Sequence, residues 1–177
     1  MNTAWDYTKC GFSRLVLADG RNSEIAGVPG IFEIAPHKKC PPGYYKIASY
    51  TSPGGDFHWL VQHGVVKHRV KSTDTPESLA KFYRVPVERI EPLNGKRYIK
   101  IRANVWSHKR GWATGPLITG SDGKVITNPL TAKLDYPRMN YSNHCKTYAV
   151  RNHGVQVGPM SSVNNVKFVL RGLASAR

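Results

Sequence analysis

A chain of 177 residues with 40% hydrophobic and 21% charged residues is long enough to bury one compact core and is not expected to be disordered. Its 26 lysines and arginines outnumber its 11 acidic residues, and the resulting formal net charge of +15 points to polyanions and acidic protein surfaces as partners. No apolar stretch approaches about 18 residues, and polar side chains interrupt the N-terminal segment, so we expect no membrane span and no secretory signal.

The N-terminal third predicts short strands separated by turns. Residues 14–18 and 31–34 are short β-prone runs, and Pro41-Pro42-Gly43 marks a boundary after them. Residues 44–50 and 56–62 are rich in aromatic and β-branched side chains and flank a Ser-Pro-Gly-Gly turn. This pattern predicts an antiparallel hairpin.

A helical pattern follows this hairpin. Thr75 is a suitable N-cap, and Pro76 suits the first helical position because its missing N–H would have no partner there. Leu79, Ala80 and Tyr83 then lie on one face at helical spacing. We therefore expect a short helix that ends before Pro86.

A second short helical stretch is predicted from Val87, Ile90 and Leu93, and residues 98–101 return as a strand. The resulting order, strand–helix–helix–strand, resembles the LysM module over about residues 67–102. LysM modules are βααβ units, many of which bind N-acetylglucosamine polymers. The matching residues are Val70, Lys71, Asp74, Thr75, Ser78, Leu79, Ala80, Tyr83, Val85, Val87, Ile90, Leu93, Asn94, Ile99 and Ile101.

The LysM resemblance implies a contact site in two loops, for a glycan or for another partner. Its residues would be Asp74, Thr75 and Pro76 in the first loop and Asn94, Gly95 and Lys96 in the second. The chain departs from the family pattern at Thr73 and Arg84, where glycine is common, and its second loop is several residues shorter than usual. A shorter loop offers fewer backbone groups to an acetamide, so we favour a structural or protein-contact function over glycan binding.

The remaining chain continues the β-rich pattern. Residues 115–119 and 124–127 flank a Gly-Ser-Asp-Gly turn and predict a second hairpin. Residues 148–150 and 155–157 are further strand candidates, and residues 161–177 form a C-terminal tail. We therefore expect an α+β fold, in which a mostly antiparallel β-rich body (residues 1–66 and 103–160) carries the LysM-like insert (67–102).

Two short motifs flank the insert: Asp-Phe-His-Trp at residues 56–59 and Trp-Ser-His-Lys at 106–109. Together with residues 122–129, they resemble an uncharacterised family found in large DNA viruses, some phages and bacteria. The resemblance covers most of residues 40–160. It implies no settled activity.

Three cysteines at scattered positions, Cys10, Cys40 and Cys145, suggest neither a disulfide framework nor a zinc site. We therefore expect three reduced thiols and no metal or other cofactor. Asp56, His58 and His63 lack a further carboxylate at ligand spacing, which argues against a metal site among them.

The best enzymatic hypothesis is a Cys–His hydrolase that uses His58 or His108, because both histidines lie in the signature motifs. A thiol nucleophile needs a base within hydrogen-bond reach, and none of the three cysteines has a sequence context that indicates one. We therefore predict no catalytic residues. The basic aromatic segment after residue 105 is instead predicted to contact a partner through Trp106, His108, Lys109, Arg110 and Trp112.

These observations predict a non-enzymatic virion protein of minor-capsid type that bridges capsid units of a large DNA virus. It would be made in the host cytoplasm and not secreted, with other capsid proteins as partners. The alternatives are a chitin- or peptidoglycan-binding protein, a Cys–His cell-wall hydrolase and a non-specific DNA-packaging protein. No run of five or six basic residues occurs, so sequence-specific nucleic-acid recognition is not expected.

Overall fold

The computed structural model describes residues 10–53, 55–111, 114–137 and 139–155. Its centre is a five-stranded antiparallel sheet in the spatial order β1 (Ile31–Glu33), β7 (Asn143–Arg151), β2 (Tyr44–Thr51), β3 (Phe57–Arg69) and β4 (Tyr98–Ser107). Two α-helices accompany it, so the predicted α+β, β-rich fold class is confirmed. No helix in these ranges has the length and apolar character needed to cross a membrane. The elements are α1 (Ser13–Asn22), β1 (Ile31–Glu33), β2 (Tyr44–Thr51), β3 (Phe57–Arg69), α2 (Pro76–Tyr83), β4 (Tyr98–Ser107), β5 (Asp135–Tyr136), β6 (Met139–Asn140), β7 (Asn143–Arg151) and two 3-10 helices (Val87–Arg89 and Pro129–Thr131).

The first predicted hairpin is confirmed by β2 and β3. Ser49 pairs with Trp59 in an antiparallel register, and the Gly55 N–H donates to the Ser52 carbonyl at 3.0 Å to close the turn. Strand β3 is much longer than the predicted run and continues to Arg69, because β4 pairs with its second half.

The strand predicted at residues 14–18 is wrong, because this segment lies within helix α1. A short apolar run does not distinguish a strand from a helix by periodicity alone. Tertiary packing decides here. Phe12 at the start of the helix is buried and lies edge-on against Trp59, with ring centroids 5.6 Å apart, and Gly20 near its end packs against the backbone of Ile31.

The second predicted hairpin is only partly present. Its turn forms, since the Gly120 N–H donates to the Lys124 carbonyl at 3.0 Å. The flanking runs make isolated bridges instead of strands, because Ile126 hydrogen-bonds to both Trp106 and Ile118. Residues 148–150 lie within β7 as predicted, whereas residue 155 is not in a strand; residues 156–157 and the tail (161–177) lie outside the described residues.

The strand–helix–helix–strand order is present as β3, α2, the 3-10 helix Val87–Arg89 and β4. Thr75 is the N-cap of α2: its hydroxyl accepts from the Ser78 N–H at 3.1 Å, while the Ser78 hydroxyl accepts from the Thr75 N–H at 2.9 Å. This reciprocal capping box satisfies N–H groups that have no partner within the helix. Leu79, Ala80 and Tyr83 are buried, as the helical spacing predicts.

Two apolar cores share the sheet. The first lies between α2 and the distal halves of β3 and β4, and the second lies under β2, β3 and the end of β4. Val105 belongs to the first core and Trp106 to the second, because neighbouring residues of a strand face opposite sides. The predicted insert is therefore built on the same two strands as the body.

Candidate functional site

The two signature motifs bring His58 and His108 together in the interior. The His58 Nε2 atom lies 3.0 Å from His108 Nδ1, and the side chains are only 7% and 4% exposed. His58 comes from the start of β3, and His108 directly follows β4, so the antiparallel pairing of these strands brings both to the same end of the sheet.

The hydrogen bonds fix the protons of this histidine pair. His108 Nε2 lies 3.0 Å from the Thr119 carbonyl oxygen, which can only accept, so this nitrogen carries the proton. In neutral His108, Nδ1 then accepts, and His58 Nε2–H donates to it. Both nitrogens of His108 are thereby occupied, which leaves the ring no free lone pair to act as a general base.

Burial keeps both rings neutral. It lowers the pKa of His58 to about 4, with a further lowering from His108 and an opposing effect of the Asp56 carboxylate. Burial also lowers the pKa of His108. The ring of His58 stacks on the ring of Tyr141, with centroids 4.5 Å apart. The Tyr141 hydroxyl donates to the Asp56 carboxylate at 2.6 Å, which holds the Tyr141 ring in place against His58.

The expectation of three reduced thiols is wrong, because Cys10 and Cys145 form a disulfide. Cys145 lies at an irregularity of the β2–β7 pairing, where Ser49 pairs with Lys146 but Tyr50 pairs with His144. The side chain of the extra residue in a bulge points in a different direction from that in a regular strand. Here Cys145 reaches Cys10, three residues before the start of α1. No local spacing indicates this pairing, because the two cysteines are 135 residues apart.

A surface cavity of about 430 Å³ opens where β3 and β4 change register around Gly64. None of its lining residues is acidic, and we call it the basic cavity after Lys39, Lys46, His63, Arg89 and Arg102. Lys46 is only 3% exposed and donates from Nζ to the Pro36 carbonyl at 2.8 Å. Burial lowers the pKa of this ammonium group. An anionic group would compensate the charge of this cavity.

The free thiol of Cys40 and the imidazole of His63 both line the basic cavity, but no hydrogen bond joins them in the described part of the chain. His63 Nε2 instead lies 2.6 Å from the Ser107 hydroxyl. Burial raises the pKa of Cys40 and lowers that of His63, which is the reverse of what a thiolate–imidazolium pair requires. The arrangement therefore does not activate a nucleophile.

The candidate metal residues Asp56, His58 and His63 are held by different partners: Tyr141, His108 and Ser107 respectively. Within the described ranges, no three His, Cys, Asp or Glu side chains are grouped so as to hold a metal ion.

The side chains of the predicted first contact loop are held within the LysM-like unit. The Asp74 carboxylate accepts from the Lys71 N–H at 2.6 Å and lies 3.0 Å from His68 Nε2, while His68 Nδ1 lies 2.8 Å from the Tyr83 hydroxyl. These hydrogen bonds hold the pKa of Asp74 below its ordinary value. Thr75 is used as a cap, and Pro76 begins the helix.

The second predicted contact loop is an exposed turn. Asn94 and Gly95 have positive φ angles of 34° and 72°, and Lys96 lies 3.4 Å from Glu91 in an exposed ion pair. All three predicted residues of this loop are exposed, whereas Asp74 and Pro76 of the first loop are half-buried.

The predicted aromatic contact segment is mostly internal. Trp106 is fully buried and His108 nearly so, which removes both from the surface; they form part of the packing under the sheet. Lys109 is exposed, and the half-buried Arg110 lies over the Tyr136 ring at 4.1 Å. Trp112 lies outside the described residues.

Sequence reasoning missed the histidine pair and the basic cavity, because both depend on strand pairing over long sequence separations. The signal for the pair was available, since each signature motif contains one histidine next to aromatic residues. No such signal marked Lys46 or Arg89, which belong to different segments.

Comparisons with known proteins find no match to this chain among protein-family models, curated proteins or solved structures.

Proposed function

We propose that the protein is a non-enzymatic structural component of a large DNA virus particle, of minor-capsid type, which bridges capsid units through basic and aromatic surfaces. One observation carries this proposal. The two signature histidines are buried and hydrogen-bonded to each other, whereas several basic side chains are open to contact. His58 and His108 satisfy each other in the interior, and Lys39, Arg89 and Arg102 line an open cavity.

The charge distribution supports adhesion to an acidic surface. The basic cavity has no acidic residue in its lining, and the chain as a whole carries a formal net charge of +15. Complementary charge accelerates encounter with an acidic partner and selects its orientation.

The disulfide is compatible with a particle component. Disulfides persist in oxidising surroundings, which include virion surfaces, and are rare in the reducing cytosol. Synthesis in the host cytoplasm would then precede oxidation of Cys10 and Cys145 in the assembled particle.

The direct test is quantitative mass spectrometry of particles purified from the encoding virus, combined with lysine cross-linking. We expect the chain at a fixed ratio to the major capsid protein, with cross-links from the exposed Lys39 and Lys109 to capsid subunits. Absence of the chain from purified particles would refute the proposal. So would a recombinant protein that remains monomeric and does not bind solubilised capsid proteins.

Glycan binding is the second candidate, and the strand–helix–helix–strand order favours it. A pull-down on insoluble chitin separates the two functions. Retention that is lost in Lys96→Ala but kept in the control Lys81→Ala would support a glycan site at the second loop, since Lys81 is exposed on α2. The capsid proposal expects no retention of the unmodified chain.

A further inference from the structure

The distal halves of β3 and β4 form a two-stranded ribbon with one covered face and one open face. Ile99 and Ile101 point into the core under α2, so the alternate residues of β4 face solvent. On that open face Lys67 pairs with Lys100, Val65 with Arg102, and Arg69 with Tyr98. We call the four cationic side chains of this face, Lys67, Arg69, Lys100 and Arg102, the basic ribbon.

No acidic residue compensates the basic ribbon. None of its four side chains forms an ion pair with another residue of the described ranges. The sequence beyond those ranges contains only one acidic residue, Asp6. Lys67 lies directly opposite Lys100, and like charges at directly opposed positions destabilise a sheet. An anionic ligand would relieve this repulsion.

An exposed aromatic ring stands at the end of the basic ribbon. Tyr98 is 41% exposed, with Lys67 Nζ 4.5 Å and the Arg97 guanidinium 5.7 Å from its ring centroid. Cationic groups next to exposed aromatic rings are the combination with which proteins hold nucleic-acid strands, because the cations neutralise phosphates while the ring offers a stacking surface.

The basic ribbon continues directly into the basic cavity. Arg102 belongs to both, and Arg89 and Lys39 extend the positive surface beyond the ribbon. Alternate residues on one strand face are about 6.6 Å apart, so the four cations form an array of two short parallel rows, one on each strand. A linear polyanion with regularly repeated charges matches this array better than the irregular carboxylates of a folded protein surface.

We propose that the basic ribbon, with the adjoining basic cavity, binds the phosphodiester backbone of a nucleic acid without reading its sequence. The major groove of a duplex admits a two-stranded β-ribbon, and positively charged surfaces with exposed aromatic rings also bind single strands. This inference goes beyond the capsid proposal, since it assigns a second ligand class to a defined face.

Fluorescence anisotropy with labelled oligonucleotides tests the proposal. The probes are a duplex of about 25 base pairs and one of its separated strands, a length that covers several phosphate contacts. The competitor is polyglutamate, which represents an acidic protein surface. The test variant is Lys100→Gln/Arg102→Gln. Its control, Lys81→Gln/Lys133→Gln, removes the same charge from exposed sites outside the ribbon face.

We expect the ribbon variant to bind at least about tenfold more weakly at low salt, because two phosphate contacts are lost. The slope of log affinity against log salt should fall by about 1.8 for the duplex and by about 1.4 for the single strand. The control variant should keep both values. The thermal midpoint of the ribbon variant should equal or exceed that of the unmodified chain, because Lys100 no longer opposes Lys67.

Three results would overturn the proposal. These are the absence of binding to either oligonucleotide at low salt, an equal loss of affinity in the control variant, and tighter binding to polyglutamate than to both oligonucleotides. The last result would assign the face to an acidic protein. Incorporation into particles is a separate measurement, so failure here leaves the capsid proposal standing.

Discussion

His58 donates from Nε2 to His108 Nδ1 across 3.0 Å in the interior, which joins the two signature motifs through two neutral imidazole rings. The pair is buried between Tyr141 and Tyr136, whose rings stack on or lie against it. Protonation of either ring places a charge in this interior, and protonation of His108 at Nδ1 also removes the acceptor of the bond between them.

The histidine pair therefore predicts acid sensitivity. The pKa of His58 is about 4 in the folded chain and about 6.5 in an unfolded one. The unfolded state binds more protons between these values, so stability present above pH 6.5 is lost as the pH falls toward 4. One such shift corresponds to about 3 kcal/mol. Urea unfolding at pH 7, 6, 5 and 4 measures this loss.

The His58→Gln variant checks the origin of the acid sensitivity. Its deficit in unfolding free energy, relative to the unmodified chain, should shrink as the pH falls. The control His37→Gln changes an exposed histidine and should keep the pH dependence of the unmodified chain. A constant deficit of His58→Gln from pH 7 to 4 would contradict the explanation.

The disulfide predicts a specific thiol count. The denatured, unreduced protein should react with a thiol reagent at one position, Cys40, and the reduced protein at three. Cys145→Ser should lower the unfolding free energy by about 2–5 kcal/mol, because the bond restricts a long loop of the unfolded chain. Cys40→Ser is the matched control and should unfold like the unmodified protein. Three reactive thiols before reduction would show that the bond does not form.

Replacement of Arg84 by glycine is expected to stabilise the fold. It ends α2 with φ 54° and ψ 48°, the left-handed conformation in which a side chain is unfavourable. Arg84→Gly should raise the unfolding free energy by about 1 kcal/mol, and Arg84→Lys should leave it unchanged because the conformational strain remains. Equal stabilities of all three proteins would contradict this explanation.

The close packing of α1 against β1 requires a residue without a side chain at position 20. A Cβ atom there would collide with the backbone carbonyl of Ile31, where α1 meets β1. Gly20→Ala should destabilise the fold by about 1–3 kcal/mol through overpacking. The control Gly115→Ala adds a Cβ with no heavy atom within 4 Å and should be nearly neutral in the same thermal unfolding measurement. A Gly20→Ala variant as stable as that control would show that the contact relaxes without strain.

Local features of the fold were predictable from the sequence, whereas features made by distant segments were not. Thr75 and Pro76 identify the start of α2, because capping depends on residues within one turn. Residues 14–18 predict a strand but lie within α1, since their short apolar run fits both structures and packing on Trp59 and Ile31 decides between them.

In the candidate site, too, local features were predictable from the sequence and long-range contacts were not. The loop residues Asp74 and Thr75 were identified, but their hydrogen bonds within the unit were not. Trp106 is predicted at the surface because its neighbours are basic, yet it is fully buried, because the second core covers its face of β4 at the end of the strand. The basic ribbon depends on the register that opposes Lys67 and Lys100, which composition alone does not specify.

Val105 and Trp106 are bonded neighbours that anchor separate cores. A displacement of the distal halves of β3 and β4 is consequently transmitted to the second core through β4 itself, because no flexible segment separates Val105 from Trp106. Loss of packing in either core releases the strand on which the other core depends, so the described part of the chain should unfold in a single cooperative step.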